Sequence, residues 1–163
     1  MPNLHWDKAK NFFDPRLMGA LPDLFITDTT VEDWQKVFDL VLRRGWDWKF
    51  QEGTTERPLP TAAEALNRPA DAEVVVLRVW PTPGISVIFR PWTPTEINFD
   101  IDLRELHGQQ GVDSLCRLLR DLGRELGKPV TMTAEGGRPE HAVLGYDPVG
   151  DRVVLLADPL APR

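Results

Sequence analysis

The sequence predicts an α+β fold, a single two-layer domain in which a mostly antiparallel sheet carries two long amphipathic helices on one face. Three observations predict it. Several short runs alternate apolar and polar residues, as Ile97, Phe99, Ile101 and Leu103 do against Asn98, Asp100, Asp102 and Arg104, because successive side chains of an extended chain point to opposite faces. Two longer runs repeat their apolar residues at three- and four-residue steps, the spacing of one helix face. Between these runs stand proline- and glycine-containing turns of the kind that join antiparallel strands.

In order along the chain, residues 1–21 lack a clean period and contain "DPRLMG". They read as an irregular arm packing Trp6, Phe12 and Phe13 onto the body, which spans 22–158, with 159–163 as a tail. "DLFIT" is a short strand. "TTVEDWQKVFDLVLRRG" is a helix: Thr29 and Glu32 form a capping box, Arg43, Arg44 and Gly45 suit its C-terminal end, and Val31, Trp34, Val37, Phe38, Val41 and Leu42 share one side. "WDWKFQ" is a strand with Trp46, Trp48 and Phe50 inward, "TTERPLP" a loop, and "TAAEALNR" a short helix capped by Thr61 and Glu64. "EVVVLRVW" and "ISVIFR" form a hairpin across "PTPG", and "EINFDIDLREL" is the next strand. The second long helix covers about residues 111–126, where Val112, Leu115, Leu118, Leu119, Leu122 and Leu126 recur at helical steps. "PVTMTA", "HAVLGY" and "DRVVLLA" are the last strands, with "DPVGD" as a hairpin turn. Val31, Trp34, Val37, Phe38 and Val41 align with Val112, Leu115, Leu118, Leu119 and Leu122, and each helix is followed by a strand and an "EG" turn. The alignment suggests pseudo-repeats over 31–106 and 112–157, a duplicated helix-plus-meander unit, in competition with the chance similarity of any two amphipathic helices followed by strands.

With 163 residues, the chain suffices for one domain that buries about two thirds of its unfolded surface. A single cysteine, Cys116, rules out an intrachain disulfide and a cysteine-based zinc site and fits a reducing compartment. The start of the chain lacks the pattern of a signal peptide, and no apolar run approaches a membrane span. A soluble, cytoplasmic protein is expected. The excess of 25 acidic over 19 basic residues, a net charge of −6, argues against general nucleic-acid binding and favours a basic partner.

No motif names a reaction. "LPD", ending at Asp23, followed by "DWK", Asp47 to Lys49, has the residue types of a metal-dependent nuclease, in which carboxylates hold Mg²⁺ and Lys stabilises developing charge. A helix intervenes, however, where that pattern brings its parts together on neighbouring strands. Asp100, Asp102 and Glu105 are the second acidic group. Carboxylates two apart on a strand share a face and could hold a cation or flank a glycosidic bond, but a polar strand face or an acidic docking strip is the better reading. His5, His107 and His141 lack metal-ligand spacing. Cys116 reads as a core thiol. "TAEGGRPEH" lacks the Lys-Ser/Thr of a phosphate loop, no serine stands in a nucleophile elbow, and no cofactor is expected. Trp92, in "RPWTPTE" between two prolines, is a stiff loop anchor that loses little entropy on binding.

In its length, acidity, tryptophan content and the style of its ending "HAVLGYDPVGDRVVLLADP", the chain resembles small bacterial immunity proteins of polymorphic-toxin systems. The resemblance implies a non-enzymatic inhibitor that binds a cognate toxin or effector, a basic toxin domain where charge decides, with no role for nucleic acid or membrane. Partner binding is assigned here to Asp100, Asp102, Glu105 and Trp92, from the acidic face and the loop tryptophan. The alternatives are a subunit or accessory protein of a larger bacterial complex, a homodimer, and a small metal-dependent hydrolase or nuclease.

Overall fold

The structure, a computed structural model, describes residues 4–160. The first three residues of the expected arm and the last three of the tail lie outside the described residues. The elements are α1 (Trp6–Ala9), α2 (Pro15–Met18), β1 (Asp23–Thr27), α3 (Val31–Arg43), β2 (Asp47–Glu52), β3 (Thr55–Arg57), α4 (Ala62–Leu66), β4 (Val75–Thr82), β5 (Ile85–Phe89), β6 (Glu96–Ile101), α5 (Gly108–Leu126), β7 (Val130–Thr133), β8 (Leu144–Asp147) and β9 (Arg152–Leu155). The fold is α+β, as the sequence predicts.

Local departures from the expected elements have local causes. The arm is a chain of short helical turns: Asp14 caps α2 by accepting from Arg16 N–H at 2.9 Å, and Phe12 and Phe13 are buried. The cap of α3 lies one residue later than expected, on Thr30 with Asp33 as its reciprocal partner, because Thr29 is turned away to donate its hydroxyl to Pro94 O. β3, expected as loop, is an exposed edge strand that needs only backbone partners on β2. α5 starts a turn early, where Gln109 accepts from Trp6 N–H at 2.7 Å and donates to Leu4 O at 2.8 Å, fastening the arm to the helix. β6 stops at Ile101, since Asp102 caps a 3₁₀ turn over Leu103–Glu105, and His141 closes a 3₁₀ turn, Pro139–His141, instead of opening a strand.

Nine strands form one sheet in the order β3-β2-β4-β5-β6-β1-β7-β8-β9, every neighbouring pair antiparallel. Three connections cross over strands: α3 leads from β1 to β2, α4 from β3 to β4 past β2, and α5 from β6 to β7. β1 and β6 run in opposite directions and their crossovers travel in opposite directions across the sheet. Crossovers of the same hand therefore put both helices on the same face, and the strong preference for one hand explains why they stack together. Arg43 and Glu125 meet at 2.8 Å across the helix pair, and Arg44 and Asp121 at 3.2 Å. Beneath them Leu24, Ile26, Leu77, Val87, Phe89, Ile97, Phe99, Val130 and Met132 join one apolar cluster with Trp34, Phe38, Val112 and Leu119.

The two stretches expected as repeats occupy unlike places in this sheet. α3 lands four strands from β1, and the strands after it, β2, β4, β5 and β6, step back toward the centre. α5 lands two strands from β6, and β7, β8 and β9 step outward. What the halves share is a strand–helix–parallel-strand crossover.

Candidate functional site

Alternation sends every second residue of these strands to the side away from the long helices. On that side the turn Pro139–His141 packs down against β1 and β7, with Gly136 N–H donating to Asp23 Oδ2 at 2.8 Å, and Glu105 reaches back to Ser86 of β5. The rest of the face has no covering layer among the described residues. Register aligns Lys49, Arg78, Ile88, Asp100, Asp23 and Thr133 in one row across it. A second row brings Gln51 beside Val76, and Asn98 beside Phe25 and Thr131. Trp80 stands opposite Asp47 on the same side.

The face has two characters. Toward β1 and β6 it is polar and carboxylate-bearing, with Asp23, Asp100 and Asn98. Toward β2, β4 and β5 it is apolar and cationic: Val76, Trp80 and Ile88 are half-buried there, and neither Lys49 nor Arg78 has a hydrogen bond or ion pair with any described residue. A strand wetted on one side should alternate, yet β4 presents Val75, Leu77 and Val79 to the core while Val76 and Trp80 flank Arg78 on the open side. Apolar residues on both sides of a strand mark one built to be covered on both.

Asp100 holds the two characters together. It is only 7% exposed, and its Oδ2 accepts from Arg90 Nη1 at 2.6 Å. Its Oδ1 is buried without a hydrogen-bond partner, a defect that costs about 1–3 kcal/mol. Burial pushes its carboxyl above the ordinary value; the hydrogen bond and charge of Arg90 and the charge of Arg78 oppose this, and the neighbouring Asp23 adds to it. A raised carboxyl pKa means that the folded chain holds this proton to higher pH than the unfolded chain. The group's contribution to stability is thus present below the unfolded value and is lost as pH rises through the raised one. Asp100→Asn is therefore expected to gain stability relative to the parent between about pH 4 and about pH 7, read as urea midpoints at both. Parallel pH profiles for the two proteins would contradict it.

The other acidic residues singled out from sequence are engaged elsewhere. Asp102 caps its 3₁₀ turn by accepting from Arg104 N–H, and it takes Arg104 Nε and Nη2, all three at 2.9 Å. Glu105 Oε1 accepts from Ser86 N–H at 2.9 Å and is bonded to its hydroxyl at 3.1 Å. Asp100, Asp102 and Glu105 do not form one free acidic strip, because β6 ends between the first and second. The nuclease pattern is not assembled either. Asp23 and Asp47 stand four strands apart, roughly 19 Å at the spacing of paired strands.

Trp92 is where the sequence places it, in the loop after β5, and is 63% exposed. With Val74, also exposed, it lines a cleft of about 230 Å³ that includes Leu66, Pro69 and Pro91. The loop is pinned from behind by the start of α3: Trp34 Nε1 donates to Thr93 O at 2.9 Å, Thr29 Oγ1 to Pro94 O at 2.7 Å, and Thr29 N–H to Thr95 O at 3.2 Å. Trp92 is thus displayed on a fixed frame, the condition under which a large side chain binds at small entropic cost.

Remaining candidates are quieter. Cys116 is buried, with its thiol pKa pushed up by that burial, as a core residue. No described group of three or more His, Cys, Asp or Glu is placed to hold a metal ion. No helix among the described residues is long and apolar enough to cross a membrane. Sequence reading missed Arg78, Arg90, Trp80 and Ile88; the signal was there in "VVLRVW", whose apolar residues fall on both sides of the strand. In comparisons with known proteins, no family model, no curated protein and no solved structure matches this chain.

Proposed function

We propose that this chain is a non-enzymatic protein-binding module of the cytoplasm, an immunity-like inhibitor that seats a partner protein on the open face of its sheet with Trp92 as an anchor. The observation that carries the reading is the uncovered side of a nine-stranded sheet, apolar and unpaired in charge over β2, β4 and β5. A surface of this composition resembles the centre of an interface more than a solvated sheet face, and interface energy concentrates in large aromatic side chains and arginine. Occlusion follows from such docking: a domain held across several strands has the contacting part of its own surface shut off from substrate.

The test is a tagged pull-down from a lysate of the source organism, washed at moderate salt, with the parent chain and Trp92→Ala side by side. One stoichiometric partner retained by the parent, and bound at least about tenfold more weakly by Trp92→Ala, is expected from loss of a hot-spot aromatic. Equal retention by both removes Trp92 from the interface, and an empty parent lane from cells expressing the candidate partners removes the reading.

A second reading, self-association through β9, rests on a separate observation. β9 is an edge strand followed by exposed Leu156 and Leu160, and unpaired edges template pairing with another chain. A monomer by light scattering at high concentration would dismiss it.

A further inference from the structure

We infer that the partner meets this face with an acidic segment flanked by apolar residues, opposite in sign to what the chain's net charge of −6 suggests. The inference rests on the docking reading and adds its chemistry. Lys49 and Arg78 are adjacent in one row, and neither is hydrogen-bonded or ion-paired to a described residue. Arg90 is fixed by Asp100 through one guanidinium nitrogen, and its remaining guanidinium donors bond no described residue. The nearby carboxylates do not pair with these charges: Asp100 is buried and committed to Arg90, Asp23 accepts from Gly136 N–H, and the exposed Asp47, opposite Trp80, and Glu56, opposite Gln51, form no ion pair with Lys49 or Arg78. Val76 and Trp80 flank Arg78 along β4, and Ile88 is its neighbour on β5. Half-buried cations on an apolar ground are screened less than cations in open water, and a guanidinium held in place loses little freedom when a carboxylate pairs with it. Carboxylates of a partner, spaced by apolar side chains, complement this surface. A basic partner would instead place like charges against Lys49 and Arg78, which costs affinity and slows encounter.

The full chain, isotope-labelled, is titrated by NMR with two synthetic peptides of equal length, repeating Glu-Leu-Ser and repeating Lys-Leu-Ser, and with oligothymidylate. The Glu peptide is expected to shift Lys49, Arg78, Ile88 and the Trp80 and Trp92 indole N–H signals, and to bind at least about tenfold more tightly than the Lys peptide. That affinity should fall with salt and drop about tenfold in Lys49→Glu/Arg78→Glu, whose folding is checked by its urea midpoint; if that variant fails to fold, the salt dependence and Lys49→Gln carry the test. Equal or tighter binding of the Lys peptide at these residues overturns the acidic partner and leaves the docking face standing. Tighter binding of oligothymidylate overturns the partner in favour of nucleic acid. Shifts confined to other parts of the molecule, or none with either peptide, overturn the acidic partner and count against the docking face as well.

Discussion

Trp34→Ala is expected to destabilise the protein by about 3–5 kcal/mol, the range for removing a large aromatic from a core that relaxes only in part. Trp34 is fully buried between α3 and the sheet, and it packs edge-on against Phe38 with ring centroids 6.3 Å apart. The substitution removes the indole's buried area and leaves a cavity. It also leaves Thr93 O without the 2.9 Å donor that holds the Trp92 loop, and a half-buried acceptor that loses its partner adds to the cost. Urea unfolding measures the total, where a loss below about 1 kcal/mol would mean that the site collapses around the gap. Trp34→Phe separates the two roles. It keeps most of the apolar contact and deletes the donor, so it should cost about 1 kcal/mol globally while speeding amide exchange in residues 93–95 more than elsewhere. A uniform change in exchange would show that the indole N–H does not fix the loop that displays Trp92.

How far the molecule could be read from its sequence depends on whether the deciding interaction is local. β1 was legible over its full length because Leu24, Phe25 and Ile26 form a short apolar run bounded by polar Asp23 and Thr27 within five residues. The capping box of Thr61 and Glu64 closes within one turn, and Trp92 was legible as exposed because the adjoining prolines keep it out of a strand. The Thr30 cap was misplaced by one residue, since what diverts Thr29 is Pro94 O, far along the chain. The same holds for the charges. "DIDLRE" looks acidic, but Arg90 comes from just past the end of β5 to meet Asp100, and Ser86 comes from β5 to meet Glu105. Once those pairs form, Asp100 and Glu105 are held against the sheet, and Lys49 and Arg78 are cations of its open face left without an ion pair to a described residue. Strand order was beyond reach for a related reason: β1 pairs with β6, which lies beyond α3 and four intervening strands, and with β7, which lies beyond α5 as well, and a single sequence carries no record of pairings at that distance.

Gly123→Ala should also lower stability, against its helix propensity. In a helix interior alanine is favoured over glycine by about 1 kcal/mol, and on that ground alone the change in α5 would stabilise. A Cβ at position 123 would, however, stand 2.1 Å from Cδ2 and 2.4 Å from Cε2 of Tyr146. The ring is buried and tethered at its far end, where the hydroxyl donates to Asp151 Oδ1. Asp151 is in turn clamped by Arg124 through Nε and Nη2, each at 2.7 Å. Arg124 follows Gly123 on the same helix, so the ring is caught between the helix surface it touches and a carboxylate that the helix also holds. It cannot swing aside without breaking that clamp, and α5 cannot lift without losing its contact with β8. Overpacking of this kind costs about 1–3 kcal/mol, enough to outweigh the propensity gain. Gly123→Ala/Tyr146→Leu is the control: shortening the ring makes room for the methyl, so the double variant should be more stable than the two single losses added together. If Gly123→Ala alone raises the urea midpoint, α5 does not rest on Tyr146 as closely as the fold requires.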